Sequence, residues 1–513
     1  MKSLLHTIPL LAIVAASGCA VGPDFKKPDA PNTNSYTAQP LPEKTAATAV
    51  VGGEAQAFAI GKQLPTQWWT LFGSDKLNQL VAQSFVNSPS TASARAALRQ
   101  AEENLNAQRG AFFPSIDANG SAQRQRSNTA AFGVPSTGGS VFNLYNVSVS
   151  VAYTLDIFGG VRRGVEAQTA VADAQRFEMQ ATYLTLAANV VTSSVSEASL
   201  RDQIAATNDI VAAQEKQLKI AETRHQLGAT AYSDVLAAQS NLASVRATLP
   251  TLEKQLAAVQ NQLAVYLGKL PSEFTANNFD LGELQLPQEI PLSVPAQLVR
   301  QRPDVRAAEE RLHQASALIG VATANLLPQV SINGNFGTQS TQAAQLFKDK
   351  IWSIGAGVTQ PLFHGGELTA RRRAAIAAYD QAAADYRLAA LTAFQNVADA
   401  LTAMQSDAQG LQAQFAAMSS AKESLGLIER QYALGSVSYL NLLDAQRQYQ
   451  QSRINYSQAL ANRYQDTAAL FQALGGNWDD DAIRATENSA ASTTAVEAPA
   501  QSATEQPAAA EQQ

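Results

Sequence analysis

The same order of landmarks occurs twice in this chain. Phe113-Pro114, Asp156-Ile157-Phe158-Gly159-Gly160, Leu227-Gly228 and Leu267-Gly268 form the first series. Leu327-Pro328, Pro361-Leu362-Phe363-His364-Gly365-Gly366, Leu434-Gly435 and Leu474-Gly475 form the second. From Gly160 to Gly366 the spacing is 206 residues; from Gly228 to Gly435, and from Gly268 to Gly475, it is 207. A spacing held along so much of the chain marks a duplicated unit. Each unit reads as a helix, two strands and a very long helical pair.

The helical pairs are built from Ala, Gln, Glu and Leu, which favour helix. Leu236, Ala243, Leu249, Leu256 and Leu263 approximate a heptad, as do Leu425, Tyr432 and Tyr439, which predicts coiled-coil-like packing. Alanine-rich helices bury little area each, so they need neighbours along their full length. The stretch from Gly160 to Gly228 spans roughly 100 Å as helix, and the return to Gly268 only about 60 Å. A helix from Asp304 to about Leu327 adds roughly 36 Å. One long helix is thus matched by two shorter ones end to end. The second unit repeats the arithmetic with a helix from about Asp75 to Phe112. These lengths predict a tall helical wall.

Val147, Val149, Val151, Tyr153, Leu155 and Ile157 alternate with small or polar residues. The period of two gives a strand with one apolar face. Val330, Ile332, Gly334 and Phe336 alternate more weakly, as do Trp352, Ile354, Ala356 and Val358. Ser115 to Arg126 is polar, and the repeat assigns it as the partner strand. Each unit therefore offers a hairpin, with loops at about Ser127 to Ser140 and Ser340 to Lys350. After residue 16 there is no long apolar helix, so a membrane crossing has to be made by strands. A single-chain barrel needs at least about eight strands, and open edges do not occur in lipid. Several chains must share one barrel.

The N-terminus reads as an export signal: Lys2, then an apolar stretch from Leu4 to Ala16 that is too short to span a bilayer. It ends in Ala16-Ser17-Gly18-Cys19, which is similar to a lipoprotein cleavage box with Ala16 in place of the usual Leu. Cys19 is the only cysteine, so no disulfide forms within the chain. Acylation explains its position better than a buried inert thiol does, because more than one acyl chain anchors stably. Ala20 follows it rather than the Asp of an inner-membrane retention signal. The expected organisation is a signal peptide over 1–18, a lipidated extended tether over 19–70, repeats over 71–270 and 303–478, a proline-rich connector over 271–302, and a disordered tail over 479–513.

The net charge is −6, with 16% charged residues and no basic run suited to nucleic acid. His6, His225, His313 and His364 fall in different segments without metal-ligand spacing. No glycine-rich nucleotide loop occurs. The expectation is no enzyme, no cofactor and no metal, with energy supplied by a partner.

In their order, several motifs identify a family. They are Cys19-Ala20-Val21-Gly22-Pro23-Asp24-Phe25-Lys26-Lys27-Pro28, Trp68-Trp69 with Phe72, Asp75 and Leu77, Arg302-Pro303-Asp304-Val305-Arg306, Leu326-Leu327-Pro328, Leu362-Phe363-His364-Gly365-Gly366 and Tyr432-Ala433-Leu434-Gly435. Over roughly Cys19 to Trp478 the chain resembles the TolC-like outer membrane efflux proteins, in their lipoprotein branch. Asn87-Ser88-Pro89-Ser90 departs from the family pattern, with Ser88 as a cap and Pro89 in a first helical turn. The resemblance implies a mixed α/β membrane protein and homotrimer. Four strands per chain would form a twelve-stranded outer-membrane barrel, continued by a long periplasmic α-helical barrel. It also implies outer-membrane lipid around the barrel, a periplasmic adaptor and an inner-membrane pump as partners, and small molecules as cargo.

The resemblance also assigns sites. Gly228 and Gly435 would turn the helical hairpins at the periplasmic tip, where the adaptor docks. Asp444, Asn441, Asp234 and Tyr432 would sit at the aperture, Asp444 as a ring and Asp234 as a tie between helices. Asn441 keeps polarity but not the family's charge. A solvated or capping carboxylate is the alternative for both aspartates, and simple packing is the alternative for Tyr432. Gly159, Gly160, Gly365 and Gly366 would turn strand into helix, and the arginines after them at 162–163 and 371–373 would lie near the headgroups or on a solvated face. The function implied is a passive exit duct for drugs or other small molecules with a resistance-nodulation-division pump. The alternatives are a type I protein-secretion duct, or another pump class, and a structural lipoprotein without a pore.

Overall fold

The computed structural model describes residues 20–31, 33, 35–127, 139–276, 279–477, 479 and 481–488. Elements follow in the order β1 (Ala57–Ile60), α1 (Asp75–Asn87), α2 (Pro89–Arg109), β2 (Ser115–Ser127), β3 (Ser140–Leu155), α3 (Gly160–Gln226), α4 (Tyr232–Arg246), α5 (Leu249–Tyr266), β4 (Glu289–Leu292), α6 (Pro295–Gln301), α7 (Pro303–Ala324), β5 (Gln329–Ser340), β6 (Lys350–Thr359), α8 (Glu367–Ala433) and α9 (Tyr439–Leu474). A last helix, α10, covers 481–488. The chain forms two compact units: Met1–Pro28, Ala97–Arg176 and Ala307–Leu388 make the first, and Asp29–Ala96, Phe177–Arg306 and Ala389–Gln513 the second. Cys19, the signal and most of the 127–140 loop lie outside the described residues.

The first unit holds an antiparallel sheet in the order β2-β3-β5-β6. Its register explains the alternation in the sequence. Val149 stands opposite Ala118 and Phe336, Val151 opposite Ile116 and Gly334, and Phe336 opposite Trp352. Opposed residues share a face, so the apolar positions of four strands merge into one surface. That surface is bare in the single chain: Trp352 is 74% and Ile354 75% exposed. The other face carries Asp117 and Asn119 beside Ser150 and Ser148, and Asn335 beside Ser353. Among the described residues, β2 and β6 are edges with one partner each.

The strand-to-helix corners are built differently. At the first, the Asp156 carboxylate accepts from the backbone N–H of Val161 (2.9 Å) and Arg162 (3.0 Å). It thereby caps the 67-residue α3 and sits at the positive end of its dipole. Gly159 has φ 77°, and a Cβ there would lie 2.5 Å from Ala20 Cβ. At the second, Gly365 and Gly366 have φ 58° and 85°; a Cβ at Gly365 would meet nothing within 4 Å, and one at Gly366 only Thr369 Oγ1 at 4.0 Å. Residues 20–28 are clamped in this unit rather than lying loosely. Arg163 bridges Asp24 (2.6 Å) and Glu166 (2.7 Å), Phe25 stacks on His313 at 4.4 Å, and Lys27 pairs with Glu309 at 3.0 Å.

The second unit is centred on aromatic side chains. Trp68 packs on Phe471 (5.7 Å), Trp69 on Phe85 (5.3 Å) and Phe85 on Tyr183 (4.9 Å). The remaining tether contributes β1, which pairs in parallel with β4 of the connector. Buried Gln56 there bonds Pro287 O and Thr467 Oγ1, both at 3.1 Å.

Three expectations need correction. The single helix expected over 75–112 is two, α1 and α2, because Pro89 lacks an N–H and turns Ser88 out of the α region. The heptad set on α4 is one position out of phase: Leu236 is 49% exposed, while Val235, Ala238, Leu242 and Val245 are buried. The tail expected to be disordered from Asp479 begins with docked α10. Its Glu487 pairs with Arg95 and accepts from the Tyr183 hydroxyl (2.8 Å), and Gln67 Nε2 bonds Thr486 Oγ1 (2.7 Å).

Candidate functional site at the hairpin turns

The two helical hairpins end alike. After α3, Gly228 takes φ 72° and Ala229 N–H donates to Arg224 O at 2.8 Å. After α8, Gly435 takes φ 73° and Ser436 N–H donates to Gln431 O at 2.9 Å. This is the left-handed glycine stop that satisfies the last helical carbonyls, and it puts the preceding leucines outside: Leu227 is 79% and Leu434 83% exposed. Behind the turns, Ala221, Val235, Ala238, Tyr432, Tyr439, Leu442 and Leu443 form one buried cluster, joining both hairpins.

Tyr432 is packed. Its ring lies 5.8 Å from that of Tyr439, and the Arg224 guanidinium sits 5.0 Å above it, within cation–π range. Burial pushes the Tyr439 hydroxyl pKa up, Tyr432 and Asp234 add to the rise, and Arg447 opposes it. Asp234 is half-buried in the first turn of α4 and accepts from Thr230 Oγ1 just before that helix, so within one chain this hydrogen bond is local and ties no second helix. Asn441 and Asp444 are exposed on the first turns of α9. Ser438 caps that helix by accepting from Asn441 N–H at 3.4 Å. The link between α4 and α9 is made by residues the sequence reading passed over: Arg447 Nε donates to Asn241 Oδ1 at 3.1 Å. Farther from the turns, Arg453 forks onto Asp202 at 2.6 and 2.9 Å, joining α9 to α3. Arg447 and Arg453 lie six residues apart among many polar helix positions, and no local pattern distinguishes them.

A pair of carboxyl groups also escaped the sequence. Asp466 of α9 is hydrogen-bonded to Asp407 of α8, and burial, that bond and the neighbouring charge push its pKa up to about 7 against the opposing pull of Arg463. His313, read as an isolated histidine, sits between Glu310 (3.2 Å) and Glu166 (3.1 Å). Among the described residues no group of three or more His, Cys, Asp or Glu could hold a metal ion, and no helix is long and apolar enough to cross a membrane.

Comparison with known proteins gives these features a setting. The pyoverdine export outer membrane protein OpmQ of Pseudomonas putida is 29% identical over 446 residues, covering 86% of this chain and 95% of its own. The outer membrane protein OprJ of Pseudomonas aeruginosa is 29% identical over 480 residues, covering 92% and 95%. Among solved structures, the outer-membrane channel OprN superposes with a TM-score of 0.79 at 27% identity, over 90% of this chain and all of its own. The Campylobacter jejuni CmeC outer membrane channel, at 20% identity, shares the fold with a TM-score of 0.79 over 91% of this chain and 98% of its own. The outer membrane efflux protein family matches residues 80–269 and 294–476, which take in both repeats, all four sheet strands and both hairpin turns. The chain belongs to the outer membrane efflux protein family: it is a non-catalytic efflux channel of the outer membrane, with a TolC-like fold.

Proposed function

We propose that three copies of this chain form the outer-membrane and periplasmic exit duct of a tripartite system that exports small molecules. The sheet carries the argument. It combines one continuous apolar face with two open edges, β2 and β6. Such a sheet is stable in lipid only if the edges are paired, and pairing β6 of one copy with β2 of the next closes a barrel without new elements. The apolar face then meets lipid and the Asn/Ser face meets water. Cys19 adds a lipid anchor.

At the hairpin turns, the exposed Leu227 and Leu434 offer apolar knobs to a periplasmic adaptor. Asp444 and Asn441 form the aperture of the closed trimer, since threefold symmetry brings three copies of each toward one axis. Asp234 and Tyr432 support the helices that carry them. A resistance-nodulation-division pump at the inner membrane supplies energy. Relatives named for export of pyoverdine, toluene and antibiotics support small molecules as cargo over secreted protein.

The test uses paired cysteines along the two edges, such as Asn119→Cys with Ser353→Cys, Gly355→Cys or Gly357→Cys. At the matching register, oxidation of isolated outer membranes should give covalent trimers on a denaturing gel. Monomers alone at every register would rule out edge-to-edge closure.

A further inference from the structure

A cavity of about 230 Å³ lies between α3, α8 and α9, next to the apolar cluster behind the hairpin turns, which its lining residue Leu425 also touches. Its chemistry is unusual for a helix interface. Gln214 and Gln446 line it and are 3% and 4% exposed. Both amide atoms of Gln214 and the Oε1 of Gln446 are buried without a hydrogen-bond partner among the described residues. A buried polar atom left unpaired is costly, which favours a polar guest here.

The walls say which guest. Asp202, Asp209 and Glu429 bring three carboxylates, against one guanidinium, Arg453, which is engaged by Asp202. The remaining lining is largely apolar, with Ala206, Ile210, Ala213 and Leu425 beside Tyr449. Anions are disfavoured by the excess negative charge. A bare metal ion would leave the apolar wall unused. A few waters would satisfy the amides but gain nothing from the unpaired carboxylates or the apolar side.

We propose that this cavity is a binding site for a small amphiphilic ammonium ion. Its N–H groups donate to the free amide oxygens of Gln214 and Gln446 and to the Asp209–Glu429 side, and its apolar body lies along the alanines and Leu425. An ammonium group has three donors and no acceptor, which matches a site whose unused groups are mainly acceptors.

Benzylammonium is the probe, titrated near neutral pH against the purified full-length protein in nanodiscs and followed by saturation-transfer NMR. Saturable binding at roughly millimolar concentration is expected. Benzyl alcohol should bind at least about tenfold more weakly, and benzoate not detectably, since losing a charge-assisted bond costs about 1.5–3 kcal/mol. Gln214→Leu keeps the side-chain volume and removes only unpaired atoms, so it should fold and weaken binding about tenfold or more. Asp209→Asn, at an exposed position, gives a second variant with no burden on folding and should also weaken binding. Ala213→Leu should abolish it by filling the space. Equal affinity for benzylammonium and benzyl alcohol, or unchanged affinity in Gln214→Leu and Asp209→Asn, would overturn the assignment. So would the absence of saturable binding, which would leave a hydrated void.

Discussion

Replacing Asp466 with Asn should make the protein less sensitive to pH. In the unfolded chain this carboxyl ionises at its ordinary value, near 4. In the folded protein it keeps its proton up to about 7, because it is half-buried and donates to Asp407. Between those values the folded state holds a proton that the unfolded chain has released. Stability therefore falls as pH rises across that window and is level above it. A shift of about three units corresponds to roughly 4 kcal/mol. Solvent reaches part of the pair and screens it, so about 2 kcal/mol is a reasonable expectation. Asn cannot ionise and can still donate a hydrogen bond to Asp407. The detergent-solubilised variant should therefore match the parent at about pH 4, draw ahead by pH 5 and exceed it by about 2 kcal/mol near pH 8 in denaturant unfolding. A gap between the two proteins that is constant from pH 5 to 8 would show that Asp466 ionises normally and that the carboxyl pair shares no proton.

Other expectations follow from the proposed assembly. Cys19→Ser should abolish incorporation of radioactive fatty acid; persistent labelling would remove the anchor from the account. Epitope tags near 127–140 or 340–350 should be reached on intact cells, whereas tags beside Gly435 should not, and the opposite pattern would reverse the topology. Asp444→Ala should lower the cation preference of the channel in a planar bilayer at low salt, where screening is weak, and Asn441→Asp should raise it. An unchanged selectivity ratio in both variants would dismiss the ring. Tyr432→Ala should cost about 3–5 kcal/mol locally, as for other buried aromatic truncations, and speed amide exchange at the hairpin turns; unchanged exchange would mean that Tyr432 holds nothing there.

Much of the fold was legible because it depends on local, periodic signals. The strands of β3 and β5 announce themselves by alternation, and both hairpin turns by a glycine at the required left-handed position. β2 was legible only through the duplication, since its polar face and polar tip hide its few apolar residues. The break between α1 and α2 was written in Ser88-Pro89 and was under-read. The partnerships that join distant segments were not legible. Asp407 with Asp466, Asp202 with Arg453 and Arg95 with Glu487 are separated by 59, 251 and 392 residues, and no spacing rule connects them. The phase of the α4 seam was missed because leucine marked Leu236 as inward, whereas the smaller Val235 and Ala238 fit the close packing. Glu487 was dismissed with its low-complexity surroundings, although it, Thr486 and buried Ile483 together dock the start of the tail.

The central claim is that the trimer is a passive duct, and planar-bilayer recording tests it most directly. Purified trimers added to one side should insert and carry stepwise, ohmic currents without any nucleotide, and Asp444→Ala should alter ion selectivity without abolishing conduction. Trimers that insert yet carry no current, in the parent protein and in Asp444→Ala alike, would contradict a continuous water-filled path through this protein.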